Sequence, residues 1–201
     1  PALRREAAEL AAVVRSLVRR RMYAPRFWAM GLRYLWFRIR NPHVLTNGMV
    51  YMARGVELRC RRGLGHMEIG REVWIGRDTA IRCHEGFLRV GDGAVFGGRD
   101  TVNCYLDVEI GDDCIFADEV YVGDFDHRTD DPDVPIQRQG IVKSPVRLGR
   151  DCWIGTKAVI LRGTSIGPGS VVGAAAVVRG RFPVRSVIVG NPARVARTRD
   201  Q

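Results

Sequence analysis

A large apolar residue recurs every six positions along most of this chain. The frame runs Ile69, Ile75 and Ile81, resumes after three extra residues at Val90, Phe96 and Val102, and after two more at Ile110, Phe116 and Val122. A long interruption follows, and the frame returns at Leu148, Ile154, Ile160, Ile166, Val172 and Val178. Glycine follows many of these anchors, as at Gly70, Gly91, Gly111, Gly149 and Gly167. A period of six matches neither the 3.6 of a helix nor the alternation of a half-buried strand. It is the pattern of a parallel β-helix, in which no coil can bury its own face and each must stack on the next.

A second column supports this reading. Four residues after the anchors stand Val73, Thr79, Ala94, Cys114, Val120, Cys152, Ala158, Thr164, Ser170 and Ala176, all small or β-branched. A narrow triangular prism needs this pairing of one large and one small inward residue per face. Glu85 and Asp100 break the column and predict irregular coils there. Three hexads make a coil, giving coils at 69–86, 90–107 and 110–127 and two more across 148–183. A weaker coil with anchors near Val50 and Val56 starts the stack. At about 4.8 Å per coil the prism is roughly 25–30 Å tall.

A chain of 201 residues suits one domain of ordinary size. Its five cysteines form no CxxC pair, and Cys114 and Cys152 fall in the inward column. Buried free thiols are expected, with a reducing, cytoplasmic setting. No apolar run is long enough to span a membrane, and no secretory leader is evident. The net charge of +10 is uneven: residues 1–63 hold 14 Arg, no Lys and three Glu, for +11, and the remainder sums to −1.

The chain therefore divides into a basic, aromatic-rich helical arm over 1–43, a β-helix over 44–197 with an insertion at 123–147, and a tail at 198–201. In the arm, Leu3, Ala7, Leu10, Val14 and Leu17 form a helical stripe among Arg4, Arg5, Arg15, Arg19 and Arg20, and Pro25 ends or kinks that helix. A second segment interleaves Phe27, Trp28, Tyr34, Trp36 and Phe37 with Arg33 and Arg38, and Asn41-Pro42 closes it. Two readings stand for the arm. It packs on the prism or a neighbouring subunit, or it lies as a peripheral contact on an anionic membrane, at the inner face. Nucleic acid is disfavoured, because the arm contains no recognisable binding module.

Four motifs follow in order: Gly149-Arg150-Asp151-Cys152-Trp153-Ile154-Gly155, Gly163-Thr164-Ser165-Ile166-Gly167, Val172-Gly173-Ala174, and Val189-Gly190-Asn191-Pro192-Ala193-Arg194-Val195. With them the chain resembles the hexapeptide-repeat acyltransferases, in the galactoside, maltose and colanic-acid O-acetyltransferase branch, over roughly residues 69–197. The resemblance implies an all-β, left-handed parallel β-helix, a handedness opposite to the usual crossover rule. It also implies a homotrimer with acyl-coenzyme A (acetyl-CoA) bound between adjacent prisms. That molecule would be a co-substrate, with no cofactor held tightly and no metal. The reaction implied is acyl transfer from the thioester to a hydroxyl or amine, with a sugar or glycolipid as acceptor.

A hydroxyl needs a base to take its proton as it attacks a thioester, and histidine titrates in the right range. The chain has His43, His66, His84 and His127. His127 ends the third coil as the interruption begins, the place of the family's catalytic histidine. Asp124 and Asp126 are candidates to orient it, as is a backbone carbonyl. Asn103, one coil earlier, is a candidate for the acceptor pocket or for a turn. The insertion starts acidic and later carries Gln137, Arg138, Gln139 and Lys143; in the family such a loop walls the active site of a neighbour. For the donor the resemblance suggests Trp153, Gly155, Thr156 and Ala174 along the pantetheine, with an amide near Thr156 as oxyanion donor. Arg194 is expected on a coenzyme phosphate, assisted by Arg179 and Arg181. Where the family often has Lys, this chain has Gly180. The alternatives are an N-acyltransferase of a nucleotide-linked amino sugar, a serine O-acetyltransferase and a non-catalytic scaffold. A zinc enzyme of the γ-carbonic anhydrase kind would need converging histidines; His66 and His84 stand one nominal coil apart, without a close pair.

Overall fold

The computed structural model describes residues 24–200 together with Ala11, Val14 and Val18. The stripe read between Leu3 and Leu17, with its arginines, lies outside the described residues apart from Val14.

The repeat folds as expected, into three parallel sheets of seven, eight and six strands wound by one chain. Among the described residues only the last strand of the second sheet and the hairpin of the insertion run antiparallel. The anchors stack in columns. Ile69, Val90, Ile110, Leu148, Ile166 and Phe182 form the first face. Met52, Ile75, Phe96, Phe116, Ile154, Val172 and Ile188 form the second. Leu58, Ile81, Val102, Val122, Ile160 and Val178 form the third. The opening coil takes its anchors at Thr46, Met52 and Leu58 rather than at Val50 and Val56; Val50 instead fills the small inward position.

From the first face to the second, and from the second to the third, the anchor spacing is always six. All irregularity falls at the return from the third face to the first, where Leu58–Ile69, Ile81–Val90, Val102–Ile110, Val122–Leu148, Ile160–Ile166 and Val178–Phe182 span 11, 9, 8, 26, 6 and 4 residues. One edge of the prism thus absorbs every insertion, including the longest. The regular corners turn through a left-handed residue three places after the anchor. Asp78, Asp113, Asp151 and Lys157 are among those with φ between 55° and 58°, each costing about 1 kcal/mol against an ordinary backbone.

Helix α1 (Pro25–Arg40) lies across the start of the stack. Pro25 begins this helix, where a missing N–H costs nothing. Phe27 meets Trp74 edge-on at 6.1 Å, and Trp74 stacks on Tyr51 at 4.1 Å. Side chains of this segment also donate to first-coil carbonyls that have no coil beneath them. Tyr34 Oη donates to Gly48 at 2.7 Å, Arg33 to Met52 and Arg38 to Val44, both at 3.3 Å. His43 Nε2 lies 3.0 Å from the Cys60 carbonyl. At the other end Ala193–Thr198 folds back antiparallel on Ser186–Gly190 and closes the second face.

The five cysteines are buried free thiols. Cys60, Cys83 and Cys104 stack in register along the return edge. Burial pushes the Cys60 thiol up to about 11, so it behaves as a small apolar residue.

Asp100 does not break its coil. The pairing Ala80–Thr101–Tyr121 runs through without a shift, and Asp100 is 1% exposed inside the small column. Its Oδ1 accepts the Val120 N–H at 2.8 Å, and its Oδ2 is buried without a partner. Burial raises the carboxyl to about 7. The unfolded chain ionises near the ordinary aspartate value, about 3.9. As pH rises from there the unfolded state gives up its proton first, so stability falls up to the folded value and then levels off. Asp100→Asn is expected to flatten this decline in thermal melts taken from acid to neutral pH. An equal decline in both proteins would place its source elsewhere. At Glu85 the coil is irregular as expected; its carboxylate pairs with Lys143 of the insertion.

Candidate active site

The insertion leaves the prism as a short antiparallel hairpin, Phe125–His127 against Ile141–Lys143, with His127 opposite Ile141. A 3₁₀ turn at Ile136–Arg138 lies between the two strands. The imidazole of His127 is exposed, and its nearest ring is Phe125, edge-on at 6.3 Å. Successive strand residues face opposite sides, so Asp126 turns away from His127 toward the body of the prism.

There the two candidate carboxylates find other partners. Asp124 is fully buried and accepts three backbone N–H groups, from Tyr105 at 2.8 Å, Leu106 at 2.7 Å and Asp107 at 2.8 Å. It closes the turn of the preceding coil and occupies the place that cysteine fills in the coils before it. Asp126 accepts from Arg162 Nε at 2.5 Å, a pair joining the hairpin to the next coil. The return strand is tied down where the Ser144 N–H donates to the Asp124 carbonyl at 2.9 Å. Sequence reasoning missed Arg162, which is 36 positions from Asp126 but stands two residues after an anchor, on the edge that carries the hairpin.

It also missed an aromatic column. His84 stacks on Tyr105 at 4.4 Å, and Tyr105 meets Phe125 at 4.4 Å. Each stands three residues after a third-face anchor (Ile81, Val102, Val122), so aligning the coils on the anchors would have revealed it. The column braces the strand that presents His127. Asn103 lies on the third face beside Gly123. Burial raises the Tyr121 phenol. His66 stands beside Phe87, not His84, because the coil there is 21 residues long rather than 18. No group of metal-ligating side chains gathers among the described residues.

The donor candidates occupy the opposite edge of the third face. Trp153 projects from the second face, 54% exposed. Gly155 and Thr156 form the next turn, with Ala174 stacked one coil on. A Cβ on Gly155 would lie 2.7 Å from the Ala174 nitrogen, so coil stacking alone requires glycine there. At equivalent turns the backbone N–H donates to an aspartate of the next coil: Arg71 to Asp92 at 2.7 Å, Asp92 to Asp112 at 2.8 Å, and Gly98 to Asp118 at 2.7 Å. Ala174 offers Thr156 no such acceptor. The Thr156 hydroxyl is held by the Asp118 carbonyl at 2.7 Å, which fixes the turn.

Arg194 is exposed on the closing hairpin opposite Val189. Arg179 and Arg181 flank Gly180 at the return edge. Within one chain, therefore, the donor-side turn and His127 sit at the two ends of the third face, with Tyr121 and Asn103 between them.

Fold and repeat together define a hexapeptide-repeat β-helix protein. The family described as bacterial transferase hexapeptide (six repeats) matches residues 145–180. WcaF of Escherichia coli (strain K12), named for acetyl transfer in colanic acid biosynthesis, is 33% identical over 82% of this chain and 86% of its own. The chain belongs to the hexapeptide-repeat acetyltransferase family. A protein of Mycobacterium tuberculosis, named as an acetyltransferase, is 51% identical over 89% of this chain; the match spans 60% of that relative's length. Among solved structures, a point mutant of AntD, an N-acyltransferase from Bacillus cereus, in complex with dTDP and coenzyme A, superposes with a TM-score of 0.67 at 20% identity, covering 82% of this chain and 87% of that one. That likeness concerns the fold.

Proposed function

We propose that this chain transfers an acetyl or other short acyl group from acyl-coenzyme A to a hydroxyl of a saccharide or glycolipid precursor. The observation that carries this reading is the placement of His127. His43 is engaged by the Cys60 carbonyl, and His66 and His84 lean on Phe87 and Tyr105. His127 is exposed on a hairpin braced by the Asp126–Arg162 pair and the aromatic column.

In this reaction His127 takes the proton of the acceptor hydroxyl as its oxygen bonds to the thioester carbon. The Thr156 N–H donates to the oxyanion that forms. Collapse breaks the carbon–sulfur bond, and the leaving thiolate recovers the proton from the imidazolium. The pantetheine runs past Trp153 and Ala174, and the Arg194 guanidinium meets a phosphate. Because one chain holds base and donor turn at opposite ends of a face, a complete site forms where the hairpin edge of one prism meets the donor edge of the next. A homotrimer provides three such junctions.

The donor site is tested by titration calorimetry with acetyl-coenzyme A and its 3′-dephospho form. Saturable binding is expected, weakened about 10- to 100-fold by loss of the phosphate or by Arg194→Gln, the worth of one or two charge-assisted hydrogen bonds. Absence of binding by either compound removes the donor assignment.

A further inference from the structure

Helix α1 has two apolar sides, and the prism covers only one. Gly31, Tyr34 and Phe37 are buried against the stack. On the other side Trp28, Leu32, Trp36 and Ile39 are 41%, 65%, 58% and 70% exposed. At 3.6 residues per turn these four fall within an arc of roughly 80°. A row of arginines borders the arc: Arg26, Arg33 and Arg40, all exposed. Arg40 lies over the Trp36 ring at 4.1 Å. No acidic residue occurs between Glu9 and Glu57.

We propose that this face of α1 is a docking surface for an anionic lipid bilayer, with the four apolar side chains in the interfacial layer and the arginine row against the headgroups. Two observations select this occupant. A protein partner for such a stripe would match its aliphatic part, but half of this one is tryptophan, which prefers the water–lipid boundary. The charge beside it is positive, in a stretch of sequence without an acidic residue, and is complementary to anionic headgroups. Among the described residues no helix is long and apolar enough to cross a membrane, so the contact is a surface one. The two earlier readings of the arm thus describe opposite sides of one helix. With α1 at the start of the stack, the prism stands on the bilayer by its first coil. This deepens the proposed function by favouring a lipid-carried acceptor; the lipid contact itself does not depend on the chemistry.

The test is flotation of the full chain with phosphatidylcholine vesicles, with and without phosphatidylglycerol, at low and high salt. Binding is expected to need the anionic lipid and to weaken with salt. Leu32→Gln/Trp36→Gln, both exposed, is expected to lower it at least tenfold while leaving the melting temperature and acetyl-coenzyme A binding unchanged. Arg26→Gln/Arg40→Gln is expected to abolish the preference for phosphatidylglycerol. Three results would overturn the proposal: no binding by the unaltered chain, undiminished binding by the apolar variant, or a change of solution mass in that variant, which would make the stripe a contact between copies. Calorimetry on the same samples separates these outcomes from a failure of the acyltransferase reading.

Discussion

His127→Ala is expected to lower kcat/KM for acyl transfer by about 10²- to 10⁴-fold, the usual worth of a positioned general base. The imidazole is exposed and its closest aromatic neighbour is 6.3 Å away, so its removal opens no cavity and leaves no buried group unpaired. The melting temperature and the affinity for acetyl-coenzyme A are expected to stay at their original values. That combination separates a lost proton acceptor from a damaged fold. A variant that kept more than half of the rate would move the base elsewhere, and the assigned mechanism would fail with it.

Asp124→Ala is expected to produce the opposite pattern. Its carboxylate, fully buried, accepts the N–H groups of Tyr105, Leu106 and Asp107. Hydrogen bonds to a charged acceptor contribute about 1.5–3 kcal/mol each, and losing three leaves buried donors unsatisfied. After relaxation a destabilisation of about 3–5 kcal/mol is expected, or about 6–20 °C in melting temperature for a domain of this size. Below its lowered melting point the variant is expected to retain acyl transfer. A rate lost without a change in stability would instead make Asp124 an orienting group for His127.

The two aspartates show where sequence reasoning reached and where it stopped. The hexad frame located every anchor from Ile69 to Val178, the small column and the insertion, because inward positions of a β-helix are dictated by local period alone. It misread Asp100 because a carboxyl was taken as incompatible with the interior, whereas burial raises it to about 7 and the Val120 N–H gives it a partner inside the coil. It placed Asp124 and Asp126 beside His127 because neighbours in sequence look like neighbours in chemistry. In a β-helix the partner of a residue is one coil away: 17–19 residues back for the amides that Asp124 holds, 36 ahead for Arg162. The aromatic column His84–Tyr105–Phe125 was missed for a related reason. It sits on the return edge, where extra residues shift the count, so a fixed period of six steps past it. The arm was the least legible part, because composition reveals an apolar and basic helix without saying which side faces which surface.

The arginine and tyrosine side chains that reach the first-coil carbonyls have a consequence for length. Parallel coils stacked in register carry no instruction to stop, and a bare terminal coil presents a row of backbone groups on which another chain can continue the pattern. Here the row meets Arg33, Tyr34, Arg38 and His43 at one end and an antiparallel strand at the other. These devices occupy backbone groups on which a further coil would otherwise pair. Shortening the chain to its repeats would therefore not yield a smaller enzyme. It would yield a rod with an adhesive end, whose growth would be limited only by protein concentration.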